Sequence, residues 1–217
     1  RSKTIGISTS ANHRLRGTPE HPVLVVTTEL KFEWRRLDEV SVGDWVVMVR
    51  GEEFLSKTPH RLMQVKMDSK FANTVKQPKV MSPELAYVMG CLVANGGLTD
   101  SHRFGNIPMT TNNEVIGEKY VSYIKALFGV DVKVATRKNG TGHEVTNYSI
   151  CSVYVRDFLA KNDLSFVASN KKHIPESVLR SDEECVRAFL SGYISSDSET
   201  MTKGSAEFIL STASPRL

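Results

Sequence analysis

The chain has 217 residues, 40% of them hydrophobic, and a formal net charge of +4, which suits one large domain or two modest ones. No apolar run approaches the about 20 residues of a membrane-spanning helix, and the N-terminus lacks the apolar stretch of a signal peptide. We therefore expect a globular protein of the cytoplasm, or of the nucleus in a eukaryote, that is not secreted and has no membrane partner.

The first part of the chain has the pattern of β-strands. Three runs rich in β-branched and apolar residues, Thr4–Ser8, Pro22–Val26 and Trp45–Val49, are separated by turn residues. We predict that residues 1–55 form an all-β domain portion. From 56 to 80 polar and basic residues dominate and two prolines occur, which predicts a linker or a peripheral subdomain.

Helical patterns begin at residue 82. Ser82 suits an N-cap, Pro83 suits the first helical position, and the turn residues Asn95-Gly96-Gly97 end the pattern. The other predicted elements are, in order, a helix at 114–128, strands at 130–136 and 144–151 joined by a turn at 139–142, a helix at 153–161, an Ile-Pro break within 172–178, and a helix at 182–196 with Ser181 as a candidate N-cap. The fold class predicted is α+β.

The three cysteines are Cys91, Cys151 and Cys185. They lie far apart, are odd in number and include no Cys-x-x-Cys pair. Neither a disulfide framework nor a zinc site has this spacing, so we expect reduced, buried thiols.

Two of the predicted helices resemble each other. In each, a glycine is followed four positions later by a small residue and then by Asn or Asp: Gly90, Ala94 and Asn95 in the first, Gly192, Ser196 and Asp197 in the second. Small residues at this spacing share one helix face and let two backbones approach closely. If the helices pack together, their C-terminal ends meet and place Asn95 beside Asp197.

An acid at a helix C-terminus is electrostatically disfavoured, by roughly 0.3–1 kcal/mol when it is exposed. Two such acids side by side repel each other, and a divalent cation between them relieves this and supplies Lewis acidity. A simpler interpretation stays open, in which Asn95-Gly96 is only a helix C-cap and Asp197 a turn residue.

The paired segments are similar to the motif helices of the LAGLIDADG homing endonucleases. In that family the helices join two αββαββα repeats, each supplies one acid that binds Mg²⁺, and the strands enter the DNA major groove. The resemblance implies an endonuclease domain at 81–217, with a first repeat at 81–180 and the start of an incomplete second repeat at 181–217. It also implies that Asp197 and Asn95 are catalytic and hold Mg²⁺.

Two further positions bear on this resemblance. Lys172-His173-Ile174-Pro175 matches the Lys-x-Ile-Pro segment of intein-type members, which implies that Lys172 is catalytic, although it is also compatible with a surface lysine. Asn95 stands where the family has an acid, and an amide brings no charge and cannot act as a base. We expect an endonuclease that is dead or nicks one strand.

A second motif lies in the predicted β-portion. Thr18-Pro19-Glu20-His21 is followed at 37–44 by a segment ending in Gly43-Asp44, and the two together resemble Hint domains, the splicing domains of inteins. The resemblance implies that Thr18 and His21 are catalytic and act at the N-terminal splice junction. A turn leading into a strand explains Thr18 and His21 equally well when they are taken alone.

Three functions are therefore open. The chain resembles an intein-borne endonuclease; alternatively it is a splicing element whose endonuclease region is only a scaffold, or a DNA-binding module without catalysis. Its implied partners are double-stranded DNA, which the mild positive charge permits, host-protein extein segments and, if the chain is one half of a split intein, a complementary intein fragment. Candidate DNA-binding residues are Lys133, Arg137, Lys138 and Arg103, each of which is also compatible with a solvated surface.

Overall fold

The chain folds into two units, residues 1–51 and 52–217, each with a hydrophobic core of its own. The computed structural model describes residues 3–11, 13–48, 55–68, 72–97, 105–138, 142–197, 212–215 and 217, with Asp197 described by its backbone alone. Helices and small antiparallel sheets are both present, so the predicted α+β class is confirmed. No helix of the described ranges has the length and apolar character to cross a membrane.

The first unit is built from short strands. The elements are a β1–β2 hairpin, Ile5–Ser8 with Arg14–Gly17, and a sheet in which β3, Pro22–Val26, pairs antiparallel with β4, Phe32–Arg36, and with β5, Trp45–Val46. The three predicted strands are present, the third shorter than predicted. Sequence reasoning missed β2 and β4 because most of their residues are exposed and charged residues interrupt the apolar pattern.

The two faces of the three-stranded sheet differ. One face buries Val23 and Val25 against Leu37 to form a small core. On the opposite face the register places Phe32, Trp34 and Trp45 on the same side, and these three side chains are 71%, 68% and 70% exposed. Period-2 alternation therefore produces an apolar surface as well as an apolar core.

The second unit contains helices around one sheet. Its elements are α1 (Pro83–Asn95), β6 (Asn106–Thr110), α2 (Glu114–Phe128), β7 (Val132–Lys138), β8 (Glu144–Cys151), α3 (Val153–Lys161), α4 (Glu176–Leu179) and α5 (Glu183–Asp197). The sheet has the antiparallel order β6-β8-β7. The described order from α1 to α3 is αβαββα, one strand fewer than the expected αββαββα. Residues 98–104, in front of β6, and 139–141 of the predicted hairpin turn lie outside the described residues.

Local capping explains where the helices start. The Ser82 hydroxyl accepts a hydrogen bond from Leu85 N at 3.3 Å, as predicted, and Pro83 follows it. The predicted N-cap of α5 was wrong: Asp182 accepts from Cys185 N at 3.0 Å, whereas the Ser181 hydroxyl donates to Ser177 O. A serine hydroxyl that lies near a buried carbonyl oxygen one turn earlier donates a hydrogen bond to that carbonyl instead of capping the next helix.

The core of the second unit surrounds α1. All nine residues from Leu85 to Val93 are buried, because the buried face of the sheet, α2 and α5 pack around this helix. A helix that is apolar on all sides must lie inside a domain. The signal for this central position was present in the sequence as the uninterrupted apolar run from Leu85.

The segment at 56–80, predicted as a linker or peripheral subdomain, belongs to the second unit, where Asn162 at the end of α3 and Gln77 from the segment itself hold it through their amide side chains. Asn162 accepts from Met63 N at 2.8 Å and donates to Met63 O at 3.0 Å. Gln77 does the same for Val65, at 2.7 and 2.9 Å. Each amide pairs with both a backbone N–H and a backbone C=O, as a neighbouring strand would, so the segment is fixed without belonging to a sheet.

The cysteines differ from the expectation at one position. All three are free thiols, and Cys91 and Cys185 are buried as expected, but Cys151 is exposed because it ends β8 on the outward face. Burial raises the pKa of the Cys91 thiol, and burial together with a hydrogen bond to Asp182 raises the pKa of Cys185 to about 12. Both buried thiols therefore stay protonated at neutral pH.

Candidate functional site at the junction of two helices

Helices α1 and α5 touch through their glycines. A Cβ atom added to Gly90 would lie 2.8 Å from Tyr193 N and closer still to the Phe189 carbonyl oxygen. A Cβ on Gly192 would lie 3.2 Å from Cys91 N and would overlap the Tyr87 carbonyl oxygen. These distances leave room for hydrogen only, so the predicted close approach of the two backbones is confirmed for both glycines.

The two helices run in the same direction, because Asn95 near the end of α1 contacts Ser196 near the end of α5, and they are related by an approximate twofold axis. Gly90 and Gly192 are separated by the same number of residues as Tyr87 and Phe189. Gly90 lies against the Phe189 carbonyl and Gly192 against the Tyr87 carbonyl, so the two contacts are equivalent. Two parallel helices in such register must end at the same place. The internal repeat seen in the sequence is therefore also a repeat in space.

The shared C-terminal end contains the predicted site residue Asn95. Its side-chain amide donates to the carbonyl oxygen of Ser196, which precedes the last residue of α5. The structure thus brings Asn95 to the end of α5, as predicted. The side chain of Asp197, the other predicted metal ligand, lies outside the described part of the chain, so its role stays a prediction.

Lys172, predicted from the resemblance, lies at the same end of α1. Its side chain is buried, with the residue 6% exposed. The ammonium donates to Val93 O at 2.7 Å, to Gly96 O at 3.2 Å and to Ala94 O at 3.3 Å. The interpretation as a surface lysine is therefore wrong.

The loop that carries Lys172 is fixed by its neighbours. Its carbonyl oxygen accepts from the Ser214 hydroxyl at 2.6 Å. The next residue, His173, lies 3.1 Å from Asp163 Oδ2 through Nε2 and 3.1 Å from Ser165 Oγ through Nδ1. Sequence reasoning missed these positioning residues, because no motif joins side chains from three separate loops.

The site does not fit Mg²⁺ on its α1 side. Asn95 offers one neutral oxygen, and the Lys172 ammonium lies among the backbone carbonyl oxygens of the same helix end. Hard divalent cations prefer several oxygens with carboxylates among them. In the described ranges, no three His, Cys, Asp or Glu side chains converge to hold a metal ion. We therefore assign no chemical step to Mg²⁺.

The end of α1 lies against the β6 edge of the sheet. Gly97 N donates to Pro108 O on β6 at 2.8 Å, and Gly96 bridges to Met109. The buried residues Met109 and Ile150 mark the inner face. By alternation and register, the outer face carries Asn106, Pro108 and Thr110, Lys133, Ala135 and Arg137, and Val145, Asn147, Ser149 and Cys151. The outer face of this sheet is therefore polar, with two cations on β7 and no carboxylate along these three strands.

The same alternation places the predicted DNA-binding residues of β7 on opposite faces of the sheet. Lys133 and Arg137 belong to the outer face and are exposed. Lys138 has the opposite parity and lies across from Glu144, so it is not on that face. Arg103 lies outside the described residues.

In the first unit, the two motif segments lie together. His21 N donates to Thr18 O at 3.0 Å, which makes residues 18–21 a tight turn, and Leu37 N donates to His21 O at 2.9 Å. A Cβ on Gly17 would lie 3.1 Å from His21 Cβ. The structure thus places Thr18 and His21 on a turn fixed by the second motif, with His21 exposed. The splicing roles of the two residues stay predictions.

Comparison with known proteins gives distant relatives. No family model matches the sequence. A subunit of the A-type ATP synthase of Pyrococcus horikoshii is 26% identical over 91% of this chain, which covers 19% of that protein. The replication factor C small subunit of the same organism is 26% identical over 99% of this chain and 20% of that protein. The chain spans about a fifth of the length of these curated relatives.

Among solved structures, the homing endonuclease I-WcaI bound to its DNA recognition sequence aligns with 57% of this chain and 55% of that chain. The TM-score is 0.37 and the sequence identity is 13%. A likeness at this level does not define a shared fold.

Proposed function

We propose that the second unit is a double-stranded DNA recognition module of the LAGLIDADG endonuclease type, with impaired cleavage, carried by an intein. The observation that carries this proposal is the parallel, glycine-mediated pairing of α1 with α5. Their common end lies at the edge of a sheet whose outer face, along its three described strands, carries no carboxylate. This arrangement presents strands to a duplex and a polar junction to its backbone. Asn95 in place of an acid supports the loss of cleavage.

The outer sheet face suits DNA for electrostatic and geometric reasons. Phosphate contacts from lysine and arginine supply most of the affinity for a duplex, and side-chain amides and hydroxyls read base edges. The face has Lys133 and Arg137 on β7, with Asn147 and Ser149 on the neighbouring strand. A carboxylate there would repel phosphate, and these strands place none on it.

Removing the two cations tests the proposal. Lys133→Ala with Arg137→Ala is expected to weaken duplex binding by about 10- to 100-fold and to reduce the salt slope of log K by about 1.8, because two phosphate contacts are lost. Binding is measured by fluorescence anisotropy on duplexes enriched from a randomised pool. Selection that enriches no sequence would refute specific recognition.

The matched control is Lys138→Ala. It removes the same charge from the neighbouring residue of the same strand but from the opposite face. We expect an affinity within about threefold of the wild type, since exposed charges near the duplex are screened. An effect as large as that of Arg137→Ala would place the duplex on the other face of the sheet.

The relatives favour a second activity, protein splicing. An ATP synthase component and a replication factor component have unrelated functions, yet each contains a segment similar to nearly all of this chain. A segment shared in this way is explained as an inserted element that is removed from its host after translation. The turn at 18–21 would then supply the groups that act at the N-terminal junction.

Replacing His21 tests splicing in the polypeptide that carries this chain with its flanking segments. His21→Ala is expected to slow cleavage at the N-terminal junction by about 10²- to 10⁴-fold, the usual contribution of a general acid or base. Accumulation of the unspliced precursor is followed by gel electrophoresis. Glu20→Ala, an exposed residue of the same turn, is the control. Ligated product formed by His21→Ala at the wild-type rate would refute the assignment.

A further inference from the structure

Strand β4 forms an edge of the three-stranded sheet in the first unit. It pairs with β3 on one side, and among the described residues no strand pairs with its other side. All of its residues except Arg35 are exposed. Such an edge presents backbone N–H and C=O groups to solvent and can serve as a template for a further strand.

The hydrogen bonds at the two ends of β4 show which of its residues point to the open edge. Lys31 O accepts from Thr27 N at 2.9 Å, and Leu37 N donates to His21 O at 2.9 Å. Alternate residues of an antiparallel strand bond to the same neighbour, so the odd-numbered residues of β4 direct their backbone groups to β3. The even-numbered residues therefore direct theirs to the open edge.

Three residues present their backbone groups at this edge, namely Phe32, Trp34 and Arg36. Arg36 N donates to the side chain of Glu39 at 3.2 Å. The other backbone groups of the three residues have no hydrogen-bond partner among the described residues. The centre of the open edge is thus Trp34, whose N–H and C=O are both available to a second strand.

Charge selects one antiparallel register between two copies of β4. Outward residues must lie opposite outward residues, and the registers that pair most of the strand are centred on Glu33, Trp34 or Arg35. The first opposes two carboxylates and the third opposes two guanidinium groups, and like charges in opposite positions are unfavourable. Centring on Trp34 instead places each Glu33 opposite the second copy's Arg35. It also places each Phe32 opposite the second copy's Arg36, a cation–π pair.

The two faces of the strand support the same register. Glu33 lies 3.4 Å from Arg35 of its own strand, so four charges of alternating sign would meet around the twofold axis. On the other face the two Trp34 side chains would lie side by side. Covering two exposed aromatic side chains in each copy buries a few hundred Å², below the about 800 Å² per partner of a standard interface, which indicates a weak, reversible dimer.

We propose that two copies of this chain associate through antiparallel pairing of their β4 strands, centred on Trp34. The proposal does not rest on the proposed function, because its contacts lie in the first unit and the candidate DNA-binding face lies on the second. Trp34 and Phe32 supply the apolar contact, and the alternation of Glu33 with Arg35 supplies the specificity for a second copy over an unrelated strand.

Analytical ultracentrifugation from about 1 to 300 μM tests the association. The wild type is expected to dimerise with a Kd of about 1–100 μM. Trp34→Lys is expected to weaken the dimer by about 30-fold or more, because two ammonium groups then meet at the twofold axis and the aromatic pair is lost. A wild type that is monomeric at about 300 μM, or a Trp34→Lys variant that dimerises like the wild type, overturns the proposal.

Trp45→Lys is the matched control for Trp34→Lys. It makes the same change at an equally exposed tryptophan on the same face, but on β5, at the far side of β3. Its Kd is expected to lie within about threefold of the wild-type value, since β5 is remote from the paired edge. A loss as large as that of Trp34→Lys would mean that the copies stack through the aromatic face, which overturns edge pairing.

Glu33→Lys tests the register. It opposes a lysine to the second copy's Arg35 on both sides of the twofold axis and is expected to weaken the dimer by about 10-fold. Glu29→Lys is the control, because it reverses the same charge at an exposed residue of the turn before β4, and a Kd within about threefold of the wild type is expected. Equal weakening by the two variants would reflect net charge alone and overturns the register.

Trp34→Cys gives a result that does not depend on a loss of association. Opposite residues of a hydrogen-bonded antiparallel pair have Cα atoms about 5.5 Å apart, which a disulfide can span. In a Cys151→Ser background, which removes the exposed thiol, mild oxidation is expected to link Trp34→Cys into a covalent dimer on a non-reducing gel and to leave Trp45→Cys monomeric. Failure of Trp34→Cys to cross-link, or equal cross-linking of both variants, overturns the proposal.

Discussion

Gly90→Ala is expected to destabilise the second unit by about 3 kcal/mol. In an exposed helix the same change stabilises by about 1 kcal/mol, because alanine is the better helix former. Here the new methyl group would lie 2.8 Å from Tyr193 N and would overlap the Phe189 carbonyl oxygen. Backbone atoms have no other rotamer to adopt, so the helices must separate, and overpacking of this kind commonly costs about 1–3 kcal/mol or more.

Urea unfolding of the purified chain measures this effect, and Ser191→Ala is its control. Ser191 is exposed and precedes Gly192 on α5, so its replacement is expected to change stability by less than about 0.5 kcal/mol. The double variant Gly90→Ala with Gly192→Ala is expected to lose less stability than the sum of the losses in the two single variants, because the first substitution already separates the helices. A Gly90→Ala protein more stable than the wild type would mean that α1 and α5 do not touch.

Asn162→Leu is expected to release the segment at 60–66 and to lower the free energy of unfolding by about 3 kcal/mol. The side chain of Asn162 accepts from Met63 N and donates to Met63 O and Phe158 O, at 2.8, 3.0 and 2.9 Å. Leucine fills a similar volume but leaves these groups unpaired, and a buried unpaired polar group costs roughly 1–3 kcal/mol. The backbone N–H and C=O of Met63 can recover part of this free energy by hydrogen bonding to water, because Met63 is half-exposed.

Amide hydrogen exchange of residues 60–66 follows this release directly. Faster exchange in Asn162→Leu, by about 10-fold or more, is the expected result. Lys161→Met is the matched control: it removes a hydrogen bond to Gln64 O in the same segment, but from an exposed side chain, and little change is expected. Unchanged exchange in Asn162→Leu would show that the amide does not hold the segment.

The parts of the fold that sequence reasoning predicted depend on local signals. Ser82 and Pro83 start α1 because a cap and a fixed φ act within one turn. The apolar face of residues 114–128 likewise predicted α2, and the turn residues at 139–142 predicted a following strand, at the bounds observed for α2 and β8. Strand β6 was missed because Pro108 and polar residues hide its alternation, and only pairing with β8 makes it a strand.

The sequence predicted which residues form the candidate site, whereas only the tertiary structure shows which groups these residues contact. Gly90 and Gly192 occupy equivalent positions of the two repeated helices, which implied close packing of these helices, because glycine lets two backbones approach. Asn95 was correctly predicted to lie at the end of this helix pair. The sequence could not show that Lys172 points into the last turn of α1, since this requires two loops brought together over 76 to 79 residues. Which groups meet at a helix end depends on the distance between residues that are remote in sequence, and that distance is a property of the folded chain alone.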